Sequence, residues 1–536
     1  MSDQTKHEGS LLSNFIHRHA WGLTFAFVFM VSAVTGYCAH FKLVRPLIND
    51  EALELIQGVG MPLDKFYFFT PDSVYPMGTA DIIETFCPYI VRFAVDAGGE
   101  FGPQTSSVFL LRGFYAACYL MGCVAFAWAA GKLWGAGWAA GAGLALASSP
   151  FVLVINNILT RNGISILWVC LIVAALVWWT RRDAKQSVVS TYTPALVVAG
   201  LLILGCWTYT AFRLVAIAVY AALVVDWWYF EKTKARAIKV MVSGILFGAV
   251  LLVLMAWNSD SLLIILRRGG YAVGDSSGYL ARLALTLATP FNHPGNRVTP
   301  FIIEDVHALV GGAVLSKWLA VFFVVGWLAA WVGSCRVAFM AAVIWTTGML
   351  LCAVAGPNFK YLLPFMPFAL LLAISGLRMC VQYLASRFEC GRVLMACVVL
   401  IFSGVAWSGL NDFFGRFPAD PQNEGNRVSN VMADVAVEMV KGGAPRVYVQ
   451  PGRGVDIVFW RIKPLIDSGR VAVYSTLPRL LDGFGETAPV PPGSVLLIDY
   501  PIQQFRNSIL NWDTFPAIKI INTRELKDER AGEAGL

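Results

Sequence analysis

A chain of 536 residues has room for two or three soluble domains of about 150 residues each. Its composition excludes that division: 57% of residues are apolar and 14% charged, against roughly 45–50% and 25% in ordinary globular proteins, and mean hydropathy is +0.63. Disordered, collagen-like and disulfide-scaffold classes are excluded, and so is a nucleic-acid binder built on a basic face; a polytopic membrane protein remains, whose net charge of +7 reads as the Lys and Arg excess of cytoplasmic loops.

At about 20 mostly apolar residues per spanning helix, eleven candidate spans follow one another at about 21–40, 108–130, 135–155, 164–180, 194–210, 213–230, 240–257, 318–333, 337–356, 361–379 and 393–410. The polar N-terminus, residues 1–20, precedes the first without a small-residue cleavage site, so that span reads as an uncleaved signal anchor. Arg181, Arg182 and Lys185 share one side with Lys232, Lys234, Arg236 and Lys239, with Arg378, Arg387 and Arg392, and with Lys6, Arg18, Lys132 and Arg336. The positive-inside rule makes this side cytoplasmic, together with the N-terminus. An odd number of spans then leaves the C-terminus outside. The expected fold is mainly α: a polytopic transmembrane domain over 21–410 and an extracytoplasmic α/β domain over 411–536, in a plasma membrane of the bacterial inner-membrane kind.

Three long segments face outward. The first, 41–107, is acid-rich; Asp50–Val59 has the spacing of a short helix, and Ile82–Val95 that of a helix lying along the interface. The second, 258–317, carries Arg267, Arg268, Asp275, His293, Arg297, Glu304, Asp305 and His307, and its two histidines match no metal spacing. The third is the tail. Val428–Lys441 has helical periodicity and stops at Gly442-Gly443, and Arg446–Gln450, Val471–Ser475, Val495–Tyr500 and Ala517–Asn522 are short β-rich runs separated by helix-sized pieces. That alternation predicts a mainly parallel sheet. Pro451-Gly452-Arg453-Gly454 has no third glycine and reads as a plain strand–helix turn rather than a nucleotide loop. The 11 cysteines follow no metal or disulfide spacing; Cys118, Cys123, Cys170, Cys206, Cys352 and Cys397 sit in apolar runs as small hydrophobes, and Cys87 reads as an inert thiol.

Polar residues close to the membrane are costly and therefore informative. Asp50-Glu51 follows the first span on the outer side. Arg112 opens the second span there, and Arg161 lies with Asn156, Asn157 and Asn162 between spans three and four. Arg213 lies with Tyr209 between spans five and six, and Lys360-Tyr361 opens span ten. Five outer loops thus direct one carboxylate pair and four cations to one surface. A carboxylate facing fixed cations suits group transfer from an anionic leaving group: the carboxylate takes the acceptor's proton, and Arg and Lys neutralise charge on a departing phosphate. Each residue also has a plainer reading. A cation at a span end anchors the interface by snorkelling, and Asp50 suits the N-cap of a helix beginning at Glu51.

The order of these residues resembles the C-type glycosyltransferases, the superfamily of protein O-mannosyltransferases and lipid A aminoarabinose transferases. Asn49-Asp50-Glu51-Ala52 looks like the acidic motif of their first outer loop. Leu111-Arg112-Gly113 and Ser148-Ser149-Pro150-Phe151 resemble their second and third spans, and Gly200–Gly205 running to Tyr209 their fifth. Phe359-Lys360-Tyr361-Leu362-Leu363-Pro364-Phe365-Met366-Pro367 resembles their basic–Tyr–x–x–Pro–x–x–Pro segment, the most specific match, and Asn292-His293-Pro294-Gly295 is a looser echo of a late outer loop. Leu53 stands where an aromatic often follows the acidic pair, and Thr70–Pro76 replaces the paired prolines of loop one, both near the presumed donor pocket.

The resemblance spans roughly residues 20–410. It implies a polyprenyl-phosphate-linked sugar donor, an extracytoplasmic acceptor (lipid, glycan or protein), inversion at the anomeric carbon and no cofactor beyond a possible divalent metal ion. Asp50 takes the position of the catalytic carboxylate, with Glu51 supporting it or helping to hold the ion. Arg112, Arg161, Arg213 and Lys360 with Tyr361 are expected to hold the phosphate. Two rival readings are a transporter or flippase of a lipid-linked or anionic substrate, expected to show inverted repeats and midplane charges, and an assembly protein working through its tail. Neither repeats nor midplane charges are evident in the sequence, and the outer polar cluster argues against an inert membrane half.

Overall fold

The structure is a computed structural model and describes residues 4–42, 49–64, 66–70, 85–98, 106–157, 159, 161–181, 188–209, 211–230, 233–256, 279–288, 315–333, 335–355, 359–388, 390–416, 424–451, 455–474, 491–498 and 519–523; at some of these, 4–18, 49–53 and 359–360 among them, the description covers the backbone alone. His293, His307 and the Asn292–Gly295 segment lie outside the described residues.

Helices dominate. In chain order they are α1 Gln4–Tyr37, α2 Asn49–Val59, α3 Phe86–Gly98, α4 Ser106–Trp134, α5 Ala136–Ala147, α6 Pro150–Asn157, α7 Arg161–Arg181, α8 Val188–Thr208, α9 Phe212–Phe230 and α10 Lys234–Ala256. There follow α11 Tyr279–Ala288, α12 Lys317–Val332, α13 Arg336–Ala355, α14 Phe359–Leu362, α15 Met366–Phe388 and α16 Gly391–Asn411. The tail contributes α17 Glu424–Lys441, β1 Val447–Gln450, α18 Val455–Arg461, α19 Lys463–Asp467, β2 Val471–Val473, β3 Val495–Ile498 and β4 Lys519–Asn522.

Each of the eleven expected spans falls on a helix, but not all of those helices are alike. Among the described residues, 8 are long and apolar enough to cross a membrane, and α5 with α6 makes a ninth if the pair is one span bent by 56°. The bend sits at Ser148-Ser149-Pro150, where proline cannot donate to the helix ladder and disfavours helical backbone in the residue before it. Tyr192–Thr208 and Trp318–Val332 are apolar but shorter. Centrality follows from burial: 78% of the Leu363–Phe388 window and 72% of the α7 and α13 windows are buried, against 11% for α10 and 22% for α16. The first three are therefore interior helices, and the last two present side chains to the surroundings. A tight crossing is that of α12 on α15, where a Cβ added at Gly376 would fall on the Phe322 carbonyl oxygen and one at Gly326 on that of Leu372.

In the tail, four strands pair in parallel in the order β2-β1-β3-β4. Each coincides with one of the β-rich runs. The central strands β1 and β3 are buried along their whole length, as continuous apolar runs in parallel sheets require. Helix α17 ends as expected before Gly442-Gly443, and with α18 it packs beside this sheet around Met432, Ala436, Val458 and Ile462.

One charge cluster orients the membrane helices. Arg336 grips the fully buried Asp226 through Nε (3.0 Å) and Nη2 (2.8 Å), and Arg236 reaches the same carboxylate at 3.1 Å. Two of the basic loops therefore meet at one end of the bundle. Arg213 opens α9, and Asp226 lies about 20 Å further along that helix at 1.5 Å per residue. The Arg213 end and the basic-loop end are thus opposite.

Candidate functional site

Loop one folds back over the Arg213 end through two short helices. An isolated eleven-residue helix is marginal in water, so the order of α2 depends on what it packs against. Leu55 and Ile56 enter a buried cluster with Cys87 and Val91 of α3, Leu111 and Tyr115 of α4, and Ile164 of α7. A Cβ at Gly58 would collide with Val91, so only glycine permits this approach of α2 to α3. Arg92 Nη1 donates to the Val59 carbonyl at 2.8 Å and satisfies an acceptor at the end of α2.

The helix begins at Asn49 rather than at Glu51. Asp50 is consequently inside the first turn and not the N-cap, and the cap reading of Asp50 is corrected. Asp50 precedes Glu54 by one helical turn, the spacing that shares a face. An acidic residue in this turn is favoured by the exposed N–H groups of the helix start.

Glu54 is the residue that ties α2 to the membrane helices. It is 4% exposed, and its carboxylate accepts the main-chain N–H of Arg161 at 2.8 Å and lies 3.5 Å from that residue's Nε. Arg161 is the first residue of α7, whose opening N–H groups have no partner within the helix. Glu54 thus caps a neighbouring helix and orients the guanidinium on it. That guanidinium lies over the Tyr209 ring, 5.9 Å from its centroid. Beyond Tyr209 the chain turns into α9, where the Arg213 guanidinium stands 5.7 Å from the Phe69 ring of loop one. Loop one therefore meets Arg161 through Glu54 and Arg213 through Phe69, and the Tyr209 turn joins the two arginines.

Arg112 belongs to the same end. Its Nη1 donates to the His40 carbonyl at 2.8 Å, which uses one of the five donors a guanidinium carries. His40, 2% exposed, faces Asn156 (Nε2 to Oδ1, 2.8 Å), and the Asn156 amide donates to the Gly163 carbonyl at 3.2 Å. The end of the first span, the break before α7 and the start of α7 are joined in this way.

Lys360 and Tyr361 lie in α14. The Lys360 side chain is outside the described residues; Tyr361 is half-buried, and its carbonyl accepts the Cys352 thiol at 3.5 Å. The turn that follows, Leu363–Phe365, packs on α7 and α9, the helices that Arg161 and Arg213 open. Of the expected site residues, Arg112, Arg161 and Arg213 therefore cluster with loop one. Asp50 and Glu51 are placed by backbone on its helix, and Lys360-Tyr361 lead into a segment that abuts the same helices.

Glu54 and His40 were not singled out from sequence. Glu54 was one acid among nine in loop one, and its one-turn spacing from Asp50 was the available signal. His40 carried none beyond its position at the end of an apolar run.

Beside the cluster, Leu63, Phe66, Phe86, Tyr89, Ile90, Phe93 and Trp207 line an apolar cavity of about 440 Å³. It is held by Trp207 Nε1 donating to Thr85 Oγ1 (2.9 Å) and the Tyr67 N–H donating to the Tyr89 hydroxyl (2.9 Å). Cys87 lies under this layer, where burial first and the Glu54 charge second push its thiol well above the ordinary range, in keeping with an inert thiol. Among the described residues no three His, Cys, Asp or Glu side chains group as metal ligands: Glu54 faces Arg161 and His40 faces Asn156. The described side chains do not form a metal site, and no step below runs through a metal.

No protein-family description and no curated protein sequence matches the chain. Solved structures do. The chain is similar to ArnT from Cupriavidus metallidurans bound to undecaprenyl phosphate, with 15% identity over 88% of each chain and a TM-score of 0.50. It is also similar to the oligosaccharyltransferase AglB from Archaeoglobus fulgidus, solved with an inhibitory peptide and a dolichol-phosphate, with 11% identity over 82% of this chain and 63% of that one and a TM-score of 0.51. At these identities the likeness is one of fold, and this chain shares the fold of ArnT and of the archaeal oligosaccharyltransferase.

Proposed function

We propose that the protein is an integral membrane glycosyltransferase that moves a sugar from a polyprenyl-phosphate donor to an extracytoplasmic lipid, glycan or protein acceptor. The observation that carries this reading is the tie between the acidic helix of loop one and two arginines of the membrane helices, through Glu54 to Arg161 and through Phe69 to Arg213. It lies in a fold shared with a transferase bound to undecaprenyl phosphate.

The chemistry follows from the groups present. The acceptor's oxygen or nitrogen attacks the anomeric carbon from the face opposite the phosphate. The carbon–oxygen bond to phosphate breaks, and its electron pair stays on the phosphate, so the sugar is inverted. Asp50 takes the proton the acceptor loses, with Glu51 beside it in the first turn of α2. Arg112, Arg161, Arg213 and Lys360, with Tyr361, neutralise the departing polyprenyl phosphate. Arg matches the phosphate with paired donors, and Lys acts as a point charge. Glu54 has a different part: it aims Arg161 and does not itself meet the substrate. On this reading the N-terminus lies in the cytoplasm and the α/β tail outside, on the side of the site, in a plasma membrane of the bacterial inner-membrane kind.

The deciding experiment is transfer from polyprenyl-phosphate sugars by Asp50→Asn protein. General-base catalysis is worth about 10²–10⁴-fold, so turnover is expected to fall at least about a hundredfold while donor lipid still binds. Normal turnover in both Asp50→Asn and Glu51→Gln proteins would remove the base from loop one and end this mechanism.

A further inference from the structure

Helix α18 is apolar on two sides, and each side belongs to a different core. Val458, with Ile462 one turn on, packs with the tail's own strands around Val447, Val449 and Leu497. Ile457, Phe459 and Trp460 belong instead to the loop-one cluster, with Leu55 and Ile56 of α2 and Leu111 of α4, and α18 lies directly against α2. Ile457 is fully buried and Trp460 is 2% exposed, so this is a built interface and not a grazing contact. Arg461 holds the far end of the helix: its Nη2 donates to Asp434 at 2.6 Å and its Nη1 to the Asn430 carbonyl at 2.8 Å, both on α17.

We infer that α18 is a positioning element for α2, so that the α/β tail holds the turn carrying Asp50 and Glu51 in register over the membrane helices. On its other sides α2 is fixed by Glu54 on Arg161, by Gly58 against Val91 and by Arg92 on the Val59 carbonyl. Helix α18 supplies a further wall through Ile457 and Trp460, and this wall comes from outside the membrane half. The catalytic consequence rests on the transferase reading; the mechanical one does not. Loosening α2 removes no charged group but lets the first turn with Asp50 and Glu51 drift, and a displacement of about 1 Å costs on the order of 10²-fold in turnover.

The test compares two deletions of identical chemistry, Ile457→Ala on the α2 side of α18 and Ile462→Ala in the turn just after it, where the side chain joins the tail's own core, in the whole chain in lipid nanodiscs. Amide hydrogen exchange is followed over residues 49–59. Ile457→Ala is expected to lower protection of α2 by roughly tenfold or more, whereas Ile462→Ala loosens the tail's strands and leaves α2 protected. In transfer assays Ile457→Ala lowers kcat with little change in donor KM, and Ile457→Val recovers most of the loss. Equal loss of α2 protection in both variants, or none in Ile457→Ala, would overturn the proposal. If Ile457→Ala does not fold, Ile457→Val against Ile462→Val makes the same comparison with a smaller deletion and the same criterion. Failure of the transferase reading has a separate signature: no turnover from any polyprenyl-phosphate sugar in the parent protein, with the exchange contrast intact.

Discussion

Replacing Glu54 by Gln keeps the size of the side chain and one carbonyl acceptor but removes the charge. Two contacts then weaken: the one to the main-chain N–H of Arg161 (2.8 Å) and the one to its Nε (3.5 Å). A hydrogen bond involving a charged group is worth about 1.5–3 kcal/mol and a neutral one about 0.5–1.5, so the main-chain contact loses about 1 kcal/mol; the partly exposed ion pair to Nε loses up to about 1 more, and Glu54→Gln is expected to destabilise by about 2 kcal/mol. Glu54→Ala removes the acceptor as well and leaves the guanidinium, whose side chain is 21% exposed, facing an emptied site; breaking a buried pair costs about 3–5 kcal/mol. The two functions of Glu54 separate in a double-mutant cycle. Arg161→Gln removes the guanidinium and leaves the α7 cap intact, so Glu54→Gln in that background is expected to cost about 1 kcal/mol less yet still more than nothing. Equilibrium unfolding in mixed micelles measures each corner of the cycle. A Glu54→Gln protein within about 0.5 kcal/mol of its parent would refute the assignment of Glu54 as cap and orienting group. So would a cycle with zero coupling.

At the opposite end of the bundle, Asp226→Ala leaves Arg236 and Arg336 gathered without their carboxylate and is expected to destabilise by about 3–5 kcal/mol, read in the same unfolding assay. Joint replacement of all three by apolar residues of similar volume is expected to be close to neutral, because no buried charge is then left uncompensated. Gly376→Ala puts a methyl onto the Phe322 carbonyl oxygen, so α12 and α15 must separate; a loss of about 1–3 kcal/mol is expected, and an unchanged unfolding midpoint would disprove the close crossing. The Cys87 thiol, raised by burial and by Glu54, keeps its proton at pH 8, so peptide mapping after maleimide treatment should find it unmodified in folded protein and modified once denatured. The linkage has a definite sign: the folded thiol holds its proton to higher pH than the unfolded one, so this group's contribution is fully present below the ordinary thiol range and is lost as pH rises from there through the raised folded value.

Much of the architecture was legible in the order of residues, for a physical reason. A span is a local property, since about 20 apolar residues in a row must form a helix that satisfies its own backbone, and all eleven such stretches coincide with helices. The strands of the tail were legible for a similar reason: Val447–Gln450 and Val495–Ile498 are short apolar runs with turn residues around them. The sidedness of Arg236 and Arg336 was readable from loop charge, and their meeting at Asp226 agrees with it.

What the sequence could not decide is which polar group answers which. Nothing local distinguishes Glu54 from the other acids of loop one; only folding brings it to Arg161, 107 residues later in the chain. The break at Pro150 was placed inside one continuous span because hydropathy is blind to a 56° bend. The α2 start was set at Asp50, or at Glu51 with Asp50 as its cap, one or two residues late, because the pairing of its first turn depends on neighbours outside the segment. The apolar run Ile457–Trp460 announces a buried helix but not that its sides belong to two cores, because adjacent residues on a helix point about 100° apart and only the tertiary structure says what stands opposite each. Sequence alone therefore determined the elements and which polar residues share one end of the bundle. Tertiary structure decided the partners, because contact between residues a hundred positions apart depends on packing and not on local pattern.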